Sequence, residues 1–302
     1  MFGCEVGCKA LAVLAAAAVF ALSCTGGEAA SDTKSRARLA ILTCVPVRDS
    51  GLPPGMLRID YQSGVDAAKD WALLVPPTKS DTWIVGLHGH GGHADSIYVR
   101  PDLRGKWVPE FARRGMGVLT PNLRDNAWMS PAAARDLHEL LGYLRARYRV
   151  KRFVFVGGSM GGTSNLIYAM LYPGDVDGCV AMCPATDLTS YHAWCARYSG
   201  GTQAAIGKAI ETAYGGTPAS LPELYQSHSA LVNCSKLTMP VYIAHGSSDD
   251  LIPVSQPRAL AEKMKGVASF KYVEIPGGGH DSPLVPNFDE GFEWVMSRLP
   301  GD

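Results

Sequence analysis

Apolar positions along this chain cluster in short unbroken runs separated by amphipathic stretches, the pattern of buried strands alternating with helices that pack on them. Runs at 82–87, 153–156, 240–244 and 270–275 predict strands of a buried sheet. Residues 57–61 and 71–75 predict leading antiparallel strands ahead of it. Leu137, Leu140, Leu141, Leu144 and Tyr148 follow helical spacing and predict a helix whose apolar face packs on the sheet. Further helices are predicted at 106–114, after residue 159, at 255–265 and at 288–298. The expected fold class is α/β, a mostly parallel sheet with helices on both faces. Apart from an Ala-rich N-terminus there is no repeat or low-complexity tract.

The strand at 153–156 runs directly into Gly157-Gly158-Ser159-Met160-Gly161-Gly162 and then into helix-forming sequence. A serine hydroxyl is a poor nucleophile unless it is held exposed, near a base and beside hydrogen-bond donors. A tight strand-to-helix turn meets all three needs. Glycines at 157 and 161 remove Cβ atoms that would clash in so sharp a turn, and the helix start aims backbone N–H groups at the reacting centre. Ser159 is therefore the candidate nucleophile, set against the plainer reading of a Gly-rich turn with a bystander serine.

Such a serine needs an acid and then a histidine further along the chain. The strand at 240–244 leads into His245-Gly246-Ser247-Ser248-Asp249-Asp250, which puts carboxylates in the loop at its C-terminal end. Asp249 is the candidate acid, with Asp250 beside it as the rival. The strand at 270–275 leads into Pro276-Gly277-Gly278-Gly279-His280, so His280 is the candidate base. The oxyanion donors are expected to be the N–H of Met160 and that of His90, with Gly91 the neighbouring possibility, in the loop after 82–87. His88 is expected to tie that loop down. The same loop, His88-Gly89-His90-Gly91-Gly92-His93, resembles the zinc-binding run of metallo-β-lactamase-like hydrolases. Gly92 stands where that run has an aspartate, so no metal or cofactor is expected.

These segments, together with Tyr214-Gly215-Gly216-Thr217-Pro218, Leu221-Pro222-Glu223-Leu224-Tyr225, Ser227-His228-Ser229-Ala230-Leu231 and the loop 245–256, resemble the α/β-hydrolase superfamily over residues of about 80–298. Within it they resemble the catalytic domain of the prolyl oligopeptidase family and its esterase relatives. The resemblance implies an α/β-hydrolase catalytic domain over 51–302 with a small cap-like insertion at about 186–238. It implies a serine hydrolase that cleaves carboxylic esters through an acyl-serine intermediate. Small peptides are the alternative substrate. A non-catalytic binding module is the remote alternative, which the complete Ser159, Asp249 and His280 set argues against. Tyr191, His192 and Trp194 in the insertion are candidate substrate-pocket residues, or else simply pack the cap. The chain departs from the family in Asn122-Leu123-Arg124-Asp125-Asn126-Ala127-Trp128, which stands where an Arg-Gly-Ser-rich stretch is usual.

Lys plus Arg equals Asp plus Glu at 28 each, so no basic field argues for a nucleic-acid partner. The short basic run from Arg145 to Arg152 ends a helix, where cations complement the helix dipole. Residues 10–22 carry no charge and are too few to span a bilayer, so 1–23 read as an export signal. Ala21-Leu22-Ser23-Cys24 resembles a bacterial lipobox and makes Cys24 a candidate lipidation site, with cleavage near Ala29 or Ala30 as the alternative. Residues 24–50 then form a tether or disordered start. The expected location is the bacterial cell envelope, the periplasm or the exterior, with membrane contact only through a lipid anchor. Export permits disulfides, and Cys195 with Cys234 is a candidate pair among Cys44, Cys179, Cys183, Cys195 and Cys234. Cys179 and Cys183 read as small buried residues.

Overall fold

The computed structural model describes residues 38–49 and 51–299. Nine strands form one sheet: β1 (Ala40–Pro46), β2 (Leu57–Gln62), β3 (Lys69–Val75), β4 (Thr82–Leu87), β5 (Gly117–Pro121), β6 (Arg152–Gly158), β7 (Gly178–Met182), β8 (Val241–Gly246) and β9 (Phe270–Ile275). Their spatial order is β1-β2-β3-β5-β4-β6-β7-β8-β9. The pairs from β1 to β5 are antiparallel, and all those from β5 through β9 are parallel. Nine α-helices accompany them among the described residues: α1 (Ser96–Val99), α2 (Pro101–Arg113), α3 (Pro131–Arg147), α4 (Met160–Leu171), α5 (Leu188–Cys195), α6 (Gly201–Tyr214), α7 (Pro222–Ser227), α8 (Ser255–Lys263) and α9 (Phe288–Met296).

The central strands are apolar on both faces because helices cover both. Phe153 and Phe155 of β6 pack with Leu137, Leu140 and Leu144 of α3 and with α4. Val154 and Val156 point the other way, into a second core with Trp107 and Phe111 of α2 and Phe288 and Phe292 of α9. Side chains alternate across a strand, so two-sided burial needs a continuous apolar run. Each such burial contributes about 1.5–3 kcal/mol.

The sheet begins earlier than expected. Residues 40–46, inside the stretch read as a tether, form β1, paired antiparallel with β2. β1 is an edge strand, and all its positions but Ile41 are exposed, so burial left no hydrophobic signature there. Residues 1–37, including the export-signal segment and Cys24, lie outside the described residues. The expected insertion corresponds to α5, α6 and α7 between β7 and β8. Cys195 and Cys234 are both free thiols. Cys195 is fully buried and packs against Gly207 of α6, 3.1 Å from where a Cβ on that glycine would sit.

The sheet reverses its order at β4, so the crevice beyond the C-terminal ends of β4 and β6 is the place where this architecture leaves room for a ligand. The turn from β6 into α4 opens there. A Cβ at Gly157 would meet the Gly161 backbone at 2.7 Å, and one at Gly161 would lie 2.0 Å from the Leu87 carbonyl oxygen. Because that contact is backbone against backbone, it has no side chain to move aside. Gly161→Ala is therefore expected to destabilise the protein by about 1–3 kcal/mol or more, read as a lower midpoint in chemical denaturation. An unshifted midpoint would show that α4 is not pressed against β4.

Candidate active site

Ser159 sits between β6 and α4 at φ 59° and ψ −122°, a left-handed conformation that a non-glycine residue adopts only when its surroundings impose it. Here they do. Its N–H donates to Met182 O at 2.9 Å, and its carbonyl accepts from the N–H of Thr163 at 2.9 Å and from Thr163 Oγ1 at 3.0 Å. Thr163 Oγ1 in turn accepts from Ala185 N. The Ser159 side chain faces a cavity of about 460 Å³.

Asp249 follows β8, and its side chain is fully buried. Oδ1 accepts the N–H groups of Leu251 and Ile252 at 2.9 and 2.8 Å. Oδ2 lies 2.7 Å from His280 Nδ1 and 3.1 Å from His245 Nε2. Burial alone would raise this carboxyl. The hydrogen bonds from His245 and His280, the charge of His280 and the Ile252 N–H overcome that and hold it far below the usual carboxylate range. Asp250 is exposed, so of the two rivals it is Asp249 that meets the histidine. The loops carrying Asp249 and His280 are stitched together: Ser248 N–H donates to Gly278 O at 2.8 Å and Gly277 N–H to Ser247 Oγ at 2.8 Å.

His280 Nε2 lies 4.0 Å from the sulfur of Cys183. Burial disfavours protonation of His280, but the neighbouring Cys183 sulfur and Asp249 outweigh it and push the imidazole above its ordinary value. Cys183 is buried, as expected, yet it stands just past the end of β7 at φ 43°, and its place at the sheet's C-terminal edge brings it to the site. His245, at the end of β8, joins the site in the same way. The spacing of four residues between His245 and Asp249 was its available signal.

The 88–93 loop lies across the crevice from Ser159. Gly91 N–H donates to Asn126 Oδ1 at 2.7 Å and is therefore engaged, whereas the His90 N–H has no hydrogen-bond partner among the described residues. Met160 is the first residue of α4, so its N–H has no intrahelical acceptor. The His88 ring ties the loop down, with Nε2 2.8 Å from Asn122 O and Nδ1 2.9 Å from Gly89 O. Burial, and secondarily the charge of His88, lowers the pKa of His90. Among the described residues no group of His, Cys, Asp and Glu has the arrangement of a metal site.

The expected pocket residues are elsewhere. Tyr191 is fully buried, and its hydroxyl donates to Leu251 O at 3.0 Å. His192 Nε2 pairs with Glu211 at 2.9 Å. Trp194 borders a separate depression beside Arg197 and Gln256. The turn of α5 points Tyr191 and Cys195 into the core, where Tyr191 lies between Trp128 and Trp194, so these aromatics pack the insertion instead of lining the cavity at Ser159. That cavity lies between the 88–93 loop and helices α1 and α2, bordered by Ile97, Val99, Leu103, Trp107 and Leu284. Arg100, paired with Asp102 at 2.6 Å and Asp281 at 3.4 Å, also borders it.

Residues 82–233 match the family model described as alpha/beta hydrolase fold. The chain belongs to the α/β-hydrolase fold family. Residues 228–302 of this hydrolase also match a model described as secretory lipase. It is 33% identical over 66 residues to the esterase LipC of Mycobacterium tuberculosis, a match covering 21% of this chain and only 16% of that protein. It is 24% identical over 201 residues to the uncharacterized peptidase YtmA of Bacillus subtilis, covering 64% and 74% of the two chains. In three dimensions it resembles FphF, a fluorophosphonate-binding serine hydrolase of Staphylococcus aureus, with a TM-score of 0.63 at 13% identity, over 82% of this chain and all of that one. At that identity the likeness speaks for the fold. With these matches the chain is an enzyme, an α/β hydrolase of the serine-hydrolase type.

If the cavity beside Val99 receives substrate, Trp194→Ala is expected to leave kcat/KM on a p-nitrophenyl ester within about twofold, while Val99→Trp lowers it about tenfold or more. The reverse ranking would move the substrate to α5.

Proposed function

We propose that this hydrolase cleaves carboxylic esters, with Ser159 as nucleophile, His280 as general base and then acid, and Asp249 as the buried carboxylate that orients and charges the imidazole. The observation that carries the reading is the 2.7 Å Asp249 to His280 hydrogen bond at the same edge of the sheet as a serine held in a strained turn. In the proposed reaction the ester carbonyl enters beside Ser159 with its oxygen toward the N–H groups of His90 and Met160. Ser159 Oγ attacks the carbonyl carbon while its proton passes to His280 Nε2. Asp249 accepts from Nδ1–H and stabilises the imidazolium as it forms. The two N–H groups stabilise the developing oxyanion. Collapse breaks the bond to the alcohol, which leaves with the proton from His280. Water then enters by the same path and attacks the acyl carbon as its proton passes to His280; collapse breaks the bond to Ser159 Oγ, which takes that proton back, and the acid is released.

Hydrolysis of small peptides is the second reading, favoured by the similarity to YtmA over most of both chains. The same residues serve either bond, and pocket and leaving group decide between them. For the chain as a whole, the reading is an export signal at 1–23, with lipidation at Cys24 or cleavage near Ala29 or Ala30. A catalytic domain follows that opens at β1 and carries the helical insertion at 186–238 as a cap. The match to the secretory lipase model supports export.

Two outcomes follow. A fluorophosphonate probe is expected to label the mature protein but not its Ser159→Ala variant, and turnover of p-nitrophenyl acetate to exceed that of aminoacyl-anilides. Dominant anilide cleavage would favour the peptidase, and absence of labelling in the folded wild type would exclude both. The pH profile supplies the second. The base works only when neutral, and His280 is raised in the folded protein, so the rising limb of kcat/KM lies above the ordinary imidazole value of about 6.5. Removing the sulfur in Cys183→Ala takes away one cause of the rise and shifts the limb to lower pH. A limb at or below about 6.5 in the wild type would contradict this.

A further inference from the structure

On this reading of the site, we propose that the 122–129 loop is a brace for the oxyanion donor and that Asn126 is its positioning residue. The loop leaves β5 with Leu123, Arg124 and Asp125 successively left-handed, at φ 48°, 60° and 58°, and Trp128 and Met129 follow at 47° and 54°. None of these is glycine, so the backbone is held against its own preference. A network of carboxylates holds it. Asp70 accepts from Arg124 N–H at 2.7 Å and from Asn122 Nδ2 at 3.0 Å. Asp136, almost wholly buried, accepts from Arg124 Nε at 2.8 Å and from Ser63 Oγ at 2.5 Å. Asp66 grips the rest of the Arg124 guanidinium through two bonds at 2.7 and 2.9 Å.

This strained and heavily anchored loop also meets α5 and α6 through Tyr191 and Tyr214, and it directs four polar contacts at the 88–93 loop. Asn122 O lies 2.8 Å from His88 Nε2, Asp125 3.4 Å from His93 Nδ1, and Trp128 Nε1 3.4 Å from His90 Nδ1. Asn126 Oδ1 accepts the Gly91 N–H at 2.7 Å. That last bond fixes the peptide that directly follows the donor. Residues 89–92 form a turn closed by Gly92 N–H to Gly89 O at 3.0 Å, and Gly91 sits at φ 77°, the third-position conformation that a type II turn demands. Such a turn converts to type I when its central peptide, here His90 to Gly91, flips over. Asn126 holds that peptide by its N–H. The Gly91 N–H is engaged, while the His90 N–H on the preceding peptide has no partner among the described residues and borders the same cavity as Ser159. Preorganised donors matter because they need no rearrangement as charge develops. Asn126 touches no substrate in this scheme; it acts through His90.

The test uses the mature protein and a p-nitrophenyl ester. Asn126→Ala is expected to lower kcat by about tenfold or more with KM changed by less than about twofold, and to slow fluorophosphonate labelling in proportion, since donor alignment counts in the transition state. Thermal midpoint and circular dichroism establish that the variant is folded. If it is not folded, Asn126→Asp, which keeps an oxygen at the position that accepts the Gly91 N–H, and Asn126→Ser, which shortens it, carry the test: kcat is retained in the first and lowered in the second. A folded Asn126→Ala or Asn126→Ser variant with unchanged kcat, or with the loss entirely in KM, overturns the brace. Wild type labelled at Ser159 with an insensitive Asn126 defeats this inference alone. Wild type that never labels at Ser159 defeats the underlying reading and this one with it.

Discussion

The approach of α4 to β4 is the constraint on which the rest depends. At Gly161 the helix backbone comes so near the Leu87 carbonyl that no side chain fits between them. That contact fixes how far Ser159, two residues before, stands from the loop that leaves β4. The serine's strained backbone is affordable only because its N–H is tied to Met182 and its carbonyl to Thr163 and because the core on both faces of the sheet holds β6 in place. Relaxing the contact would separate the proposed nucleophile from its proposed oxyanion donors, however well each was built by itself.

Electrostatics complete the arrangement from the other side of the crevice. Asp249 is buried where an isolated carboxylate is costly, and it is offset by two backbone N–H groups and two imidazoles. The result is a fixed negative charge whose remaining direction of influence is His280. Loops after β8 and β9 hold the pair together through backbone bonds. The acid and base therefore move as one body with the sheet, a condition suited to repeated proton transfer.

The sheet and the crevice residues were legible because their signals are local. Continuous apolar runs mark strands covered on both faces, and the glycines at 157 and 161 mark a turn that only their absence of Cβ permits. The order of Ser159, Asp249 and His280 along the chain placed each at the end of a strand. What escaped did so for physical reasons. β1 is an exposed edge and carries no burial pattern. Tyr191, His192 and Trp194 were equally compatible with a pocket or a core, since aromatic side chains serve both, and only the rotation of α5 decides. The bracing loop at 122–129 depends on left-handed non-glycine residues held by Asp66, Asp70 and Asp136, partners far away in sequence, so no window around Asn126 contains its explanation.

The most direct measurement of the central claim is a crystal structure of the protein after reaction with a small alkyl fluorophosphonate. The account predicts a covalent bond from Ser159 Oγ to phosphorus, with the phosphoryl oxygen about 2.7–3.1 Å from the N–H nitrogens of both His90 and Met160 and His280 Nε2 facing the adduct. A phosphoryl oxygen directed away from His90, or an adduct on any residue other than Ser159, would contradict it.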